Sequence, residues 1–138
     1  METRILAIDY GLKRIGLALS DPLKIFAYPF KTLNNDNKLI NDLKELVDTQ
    51  GITEIVVGYP LKENGEKSSS TLEVEKFVLR LKESFKIDII LRDERYTSEL
   101  AKQNILQSVT KKKKRQDKGL VDRNAACIFL QEYLDEKK

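Results

Sequence analysis

Three carboxylates, Asp9, Glu94 and Asp122, stand where this chain could do chemistry, because each adjoins an apolar segment that reads as core. Asp9 follows the run Ile5-Leu6-Ala7-Ile8, Glu94 comes just past a predicted strand over 87–91, and Asp122 falls in the first turn of the predicted last helix. A charge beside a buried strand must be compensated. Alone, Asp9 could simply accept backbone hydrogen bonds from the turn over 10–13, and Asp122 could complement a helix N-terminus, an effect of about 0.3–1 kcal/mol. Three converging acids are another matter, because they repel one another until one takes up a proton or a divalent cation joins them. Two Mg²⁺ ions about 4 Å apart on such a cluster can activate a water for in-line attack on a phosphodiester and stabilise the leaving oxygen.

The chain has no histidine and a single cysteine. A Ser-His-Asp triad, a Cys-His pair and every His-containing zinc site are thereby excluded. Of the polar groups left, only carboxylates make a good metal site, and they select hard cations, Mg²⁺ or Mn²⁺. Cys127 lies in the apolar stretch 125–130 and reads as a small buried thiol with no catalytic role. Asp93 reads as a structural partner of Arg92 or Arg95, and Thr97 and Ser98 as a helix cap.

The elements that must position the acids follow from periodicity. An apolar share of 41% in 138 residues suffices for one core, so residues 1–138 read as a single domain. The apolar run near the start is too short for a signal peptide or a membrane span, which predicts a cytoplasmic protein. Strands are expected over 4–10 and 14–20, paired antiparallel, and over 25–32, where Pro29 demands an edge or an irregularity. A helix over 35–50, capped by Asn or Asp and closed by Gly51, leads to a buried strand over 53–58 and a polar loop over 59–69. A second helix over 71–85, with Ser70 and Glu73 at capping-box spacing, precedes the strand over 87–91. Helices over 98–109 and 121–136 complete the chain. The order predicts a five-stranded mixed α/β sheet flanked by helices, of RNase H-like type, with the first and fourth strands parallel neighbours and the fifth beyond. Asp9 and Glu94 would then open on one crevice.

The net charge of +3 is unevenly spread: residues 110–118 carry +5, leaving −2 for the remainder. Lys111, Lys112, Lys113, Lys114 and Arg115 could be a solvated loop and nothing more. Their place just before Asp122 also suits a clamp on nucleic-acid phosphates, with an affinity that falls steeply with salt. Few aromatics accompany them, so base stacking is not indicated.

The segments Asp9-Tyr-Gly-Leu-Lys-Arg14-Ile-Gly16, Gly58-Tyr-Pro60-Leu61, Asp93-Glu94-Arg95 and Asp122-Arg-Asn-Ala-Ala126 together resemble the YqgF/RuvX family across nearly the whole chain. That family comprises pre-16S rRNA nucleases related to the RuvC Holliday junction resolvases. The resemblance implies an RNase H-like fold, a Mg²⁺ or Mn²⁺ site on Asp9, Glu94 and Asp122, and phosphate or structural contacts from Arg14, Arg95 and Lys118. It also implies cleavage of structured RNA, with maturation of the 5′ end of pre-16S rRNA as the expected task, by a monomer or homodimer. Gly58, Pro60, Leu61, Gly65 and Thr71 match the family's rim loop and the start of the helix after it. Thr97-Ser98 and Phe129 depart slightly from the family's usual residues. Two other readings stay open: a resolvase-like nuclease on branched DNA, and a non-catalytic nucleic-acid-binding or transcription-associated factor.

Overall fold

Four consecutive apolar residues between Arg4 and Asp9 leave the first strand no polar face to turn to water, and it lies at the centre of a sheet. The computed structural model describes residues 2–93 and 118–137. Strands β1 (Arg4–Tyr10), β2 (Arg14–Ser20) and β3 (Ala27–Asn34) are followed by helix α1 (Leu39–Gln50), strand β4 (Ile52–Tyr59), helix α2 (Ser69–Ser84), strand β5 (Asp88–Asp93) and helix α3 (Lys118–Glu136). The five strands form one sheet in the order β3-β2-β1-β4-β5. β2 pairs antiparallel with both β1 and β3, whereas β4 pairs parallel with both β1 and β5. This is the mixed RNase H-like sheet expected, with the first and fourth strands adjacent.

Each sheet face has its own core. Leu6, Ile8, Ile15 and Leu17 pack on one face with Leu39, Leu43, Phe77 and Leu81 of α1 and α2. On the other, Ile5, Ala7, Ala18 and Val56 meet Ala126, Phe129, Leu130 and Leu134 of α3. Ala7, Ala18 and Ala126 are the small members of this second core. Polar ties fasten α3 at its far end: Gln131 donates from Nε2 to Ile25 O (2.9 Å) and accepts from Ala27 N (2.8 Å). Tyr133 OH donates to Glu54, and Arg92 reaches Glu136 at 2.7 and 2.8 Å.

Several boundaries depart from expectation for local reasons. β3 begins two residues late, as an edge strand, and its register slips where the partners change from Leu17–Lys31 to Ala18–Pro29, so Phe30 is the extra residue beside the proline. α1 begins at Leu39 rather than 35. Asp36 folds residues 36–38 into a turn instead, accepting the Lys38 N–H on its carboxylate (2.9 Å) and the Leu39 N–H on its carbonyl (3.2 Å), and Lys38 at the N-cap makes no side-chain bond. Gly51 closes α1 as predicted at φ 65°, where a Cβ would meet Glu2 O at 2.5 Å. The capping box of α2 is Ser68 with Thr71, not Ser70 with Glu73. Arg92 pairs with Glu132 and Glu136. The helix predicted over 98–109 lies outside the described residues.

Candidate active site

Alternation along β1 puts Asp9 on the same face as Ile5 and Ala7, the face covered by α3. It is half-buried, next to last in its strand. β1, β4 and β5 run parallel, so their carboxyl ends share one edge of the sheet. Asp9 pairs with Gly16 of β2. On its other side Ile8 pairs with Val57, which brings Asp9 level with Gly58 of β4, itself paired with Arg92 of β5. The carboxylate therefore rises between two glycines on a row that lacks side chains on either neighbouring strand. An acid at the end of a core strand is chemically suited to a hard cation.

The turns around this edge are held in place. Asn35 fixes the β1–β2 turn, its backbone N–H bonding Lys13 O at 2.9 Å and its Nδ2 bonding Gly11 O at 2.8 Å. Gly11 is required there, since a Cβ would stand 2.5 Å from Arg14 O. Beyond β4, the fully buried Thr71 donates to Pro60 O and accepts the Ser68 N–H at 3.0 Å. Its own N–H bonds Ser68 Oγ at 3.3 Å. The rim loop Gly58-Tyr59-Pro60-Leu61 is thus tied to the start of α2, and the bridge between Leu61 and Lys67 folds the rest of the loop into a short hairpin. Lys67 and Tyr59 both bond Glu75 Oε2, at 3.0 and 3.3 Å, and this pairing with Glu75 holds the Lys67 ammonium above its usual pKa.

Of the residues singled out from sequence, Asp9 and Arg14 are brought together. Arg14 begins β2 two residues before Gly16, on the same face and one step nearer the open edge, opposite Asn34 of β3. Glu94, Arg95 and Lys111 to Arg115 lie outside the described residues; β5 runs to Asp93, immediately before Glu94. Lys118 and Asp122 belong to α3, with side chains outside the description. Because α3 already includes Lys118, Asp122 falls in its second turn rather than its first, which weakens simple complementarity to a helix N-terminus as its explanation. Among the described residues no three acids converge. Cys127 is half-buried, and burial pushes its thiol pKa up, as fits a packing residue. Two arginines to which sequence reasoning gave no place in the site also occupy the α3 face: Arg92, and Arg123, whose Nη1 donates to Thr32 Oγ1 at 2.9 Å. Arg123 follows Asp122 directly, a proximity that could have drawn notice.

Comparison with known proteins agrees with this architecture. In solved structures, Thermus thermophilus RuvC bound to a Holliday junction superposes with a TM-score of 0.59 over 98% of this chain and 95% of that one, at 10% identity. The fowlpox virus Holliday junction resolvase gives 0.56 over 98% and 99%, at 11% identity. These likenesses establish the fold. In sequence, the chain is 44% identical to a Chlorobaculum tepidum protein over 96% of this chain and 93% of that one, and 42% identical to a Salinibacter ruber protein over 97% and 94%. Both carry the name "Putative pre-16S rRNA nuclease". The profile of the RuvX family, described as Holliday junction resolvase, matches residues 3–136, and the chain belongs to that family.

Proposed function

We propose that this chain is a metal-dependent endonuclease that hydrolyses phosphodiester bonds of structured RNA, maturing the 5′ end of a 16S rRNA precursor in the cytoplasm. The observation that carries the reading is Asp9: an acid at the carboxyl end of the central strand, between Gly16 and Gly58, in a chain whose relatives bear the name of an rRNA nuclease. Asp9, Glu94 and Asp122 would hold Mg²⁺ or Mn²⁺, and an all-carboxylate set fits such hard cations. The chemistry such a cation would supply there is charge neutralisation at a phosphodiester and a lowered pKa for water.

The supporting placement is in the backbone. Asp122 precedes Ala126 by four residues, one helical turn, and Ala126 is fully buried against the sheet. Glu94 follows Arg92 by two residues, and Arg92 lies on the α3 face. Arg14, Arg95 and Lys118 would contact phosphates, and Lys111 to Arg115 would clamp the strand entering the site. One domain would carry all of these parts, as a monomer or homodimer.

A second reading, cleavage of branched DNA, is favoured by the family description and by the resolvase-like fold. Purified protein should be offered a 16S precursor RNA and a four-way DNA junction, with Mn²⁺, with Mg²⁺ and with chelator, beside Asp9→Asn. Metal-dependent cutting of the RNA that Asp9→Asn abolishes is expected. Preference for the junction would favour the second reading. If neither substrate is cut, or Asp9→Asn cuts as well as the parent, the nuclease reading fails and a binding factor is left.

A further inference from the structure

Leu12 stands in the turn between β1 and β2, three residues past Asp9, and is 70% exposed. Singly exposed leucines are common and by themselves ask for no explanation. The backbone around this one sets it apart. The carbonyls on both sides of it are tethered to Asn35, Gly11 O by the side-chain Nδ2 at 2.8 Å and Lys13 O by the backbone N–H at 2.9 Å. Gly11 has no space for a side chain, since a Cβ would meet Arg14 O at 2.5 Å. The turn is therefore fixed, and it presents a leucine where Gly, Asn, Asp or Ser would ordinarily stand. Neither of the two buried clusters includes Leu12, so the core makes no use of it.

What could cover this side chain follows from where the turn lies. Three residues of chain span at most about 11 Å, so the Leu12 backbone is within that distance of Asp9. A strand whose phosphate is held at the Asp9 edge brings its adjoining ribose or base into the same range. Lys13 follows directly, exposed and without an ion pair among the described residues. A leucine beside an unpaired cation matches the two halves of one nucleotide: the ammonium meets a phosphate, and the apolar side chain meets the face of a base. In continuous duplex both faces of a base are covered by its neighbours, whereas an unpaired base can be splayed out and offers one. Because the backbone of the turn is already ordered, the contact costs little beyond the leucine's own rotamer freedom.

We propose that Leu12 packs against the face of an unpaired base next to the phosphate at the Asp9 edge, and so directs the site to unpaired segments of a structured RNA rather than to continuous duplex. This rests on the nuclease reading above, but its test reads binding. Anisotropy of a fluorescein-labelled single strand from the 16S precursor would be compared with that of the same strand annealed to its complement. Ca²⁺ would replace the catalytic cation, and KCl would be varied. Leu12→Ala should weaken binding of the single strand about fivefold, leave the duplex unaffected and keep the parental salt slope, because an apolar contact releases no counterions. Its melting temperature should match the parent's, since the side chain lies in solvent. Leu12→Phe should bind the single strand at least as tightly as the parent, with a larger face for the same base. 2-Aminopurine placed in turn along the strand should brighten at one position on binding the parent, and not on binding Leu12→Ala.

In cleavage assays Leu12→Ala should raise KM more than it lowers kcat. Parental affinity of Leu12→Ala for the single strand, or a loss that extends equally to the duplex, would overturn the inference, and cleavage by the parent would still support the nuclease reading. A lowered salt slope would overturn it as well, since the turn would then act through charge. If the parent cuts nothing while Leu12→Ala still loses affinity for the single strand alone, the base contact stands and the nuclease reading alone falls.

Discussion

At the scale of single residues, Thr71 shows how a side chain outside any chemistry can set the shape of a site. Its hydroxyl donates to Pro60 O and accepts from the Ser68 N–H, and its backbone closes the capping box. Thr71→Val preserves volume but removes both hydroxyl bonds and leaves buried backbone groups unpaired, a loss of about 1–3 kcal/mol. Urea unfolding should show that drop, and faster proteolysis within residues 60–68 should accompany it. Part of this was legible in advance. The run Ser68-Ser69-Ser70 offers three possible caps, and spacing alone favours Ser70 with Glu73. Thr71 decides otherwise because it can bond both the cap residue and the loop behind it, and that loop's path exists only in three dimensions. Asp9 was legible for the opposite reason: an acid directly after four apolar residues is conspicuous without knowledge of its neighbours. The two glycines beside it are not, because Gly16 and Gly58 become its neighbours only through the register.

At the scale of elements, the order of the strands could be read from sequence and the docking of α3 could not. β1 and β4 carry apolar runs suited to burial on both faces, and Pro29 marks β3 as an edge. The ties of α3 join residues far apart in the chain. Arg92, with its side chain 15% exposed, reaches Glu132 at 3.4 Å and Glu136 at 2.7 Å. Hydrogen bonding to Glu136 raises the guanidinium's pKa further, and the same bond holds the Glu136 carboxyl below its ordinary value.

A carboxyl whose pKa is lower in the folded than in the unfolded chain stabilises the fold above its unfolded value, and that stability is lost as pH falls through the folded one. Glu136→Gln should therefore lower stability slightly near neutrality, leave it unchanged at the acid extreme, and so flatten the fall of the stability–pH curve from the usual glutamate range downward. Melting temperatures measured from pH 3 to 8 would check this, and an unchanged acid limb would contradict it. Gln131→Ala is a harsher test of the same helix, because Ala27 N and Ile25 O both lose a partner. A loss of about 1–3 kcal/mol in chemical denaturation is expected.

At the scale of the whole molecule, charge governs how a polyanion arrives. Residues 110–118 carry +5 and everything else nets −2, so without that segment the protein would offer phosphate a weakly repulsive surface overall. Arg14 lies at the Asp9 end of the sheet, too little charge to collect a strand alone. Collection would then fall to Lys111 to Arg115. That task shows in the dependence of binding on salt. Replacing Lys111 to Lys114 with Ala should cut the slope of log affinity against log salt by up to about 3, since each phosphate contact on a single strand contributes about 0.7. The association rate should fall far more than the dissociation rate rises, because long-range attraction acts on encounter. Stopped-flow binding at 50 and 200 mM KCl checks this. If the four-lysine variant keeps the parental slope and association rate, the segment takes no part in substrate capture, and the charge of the sheet end must suffice alone.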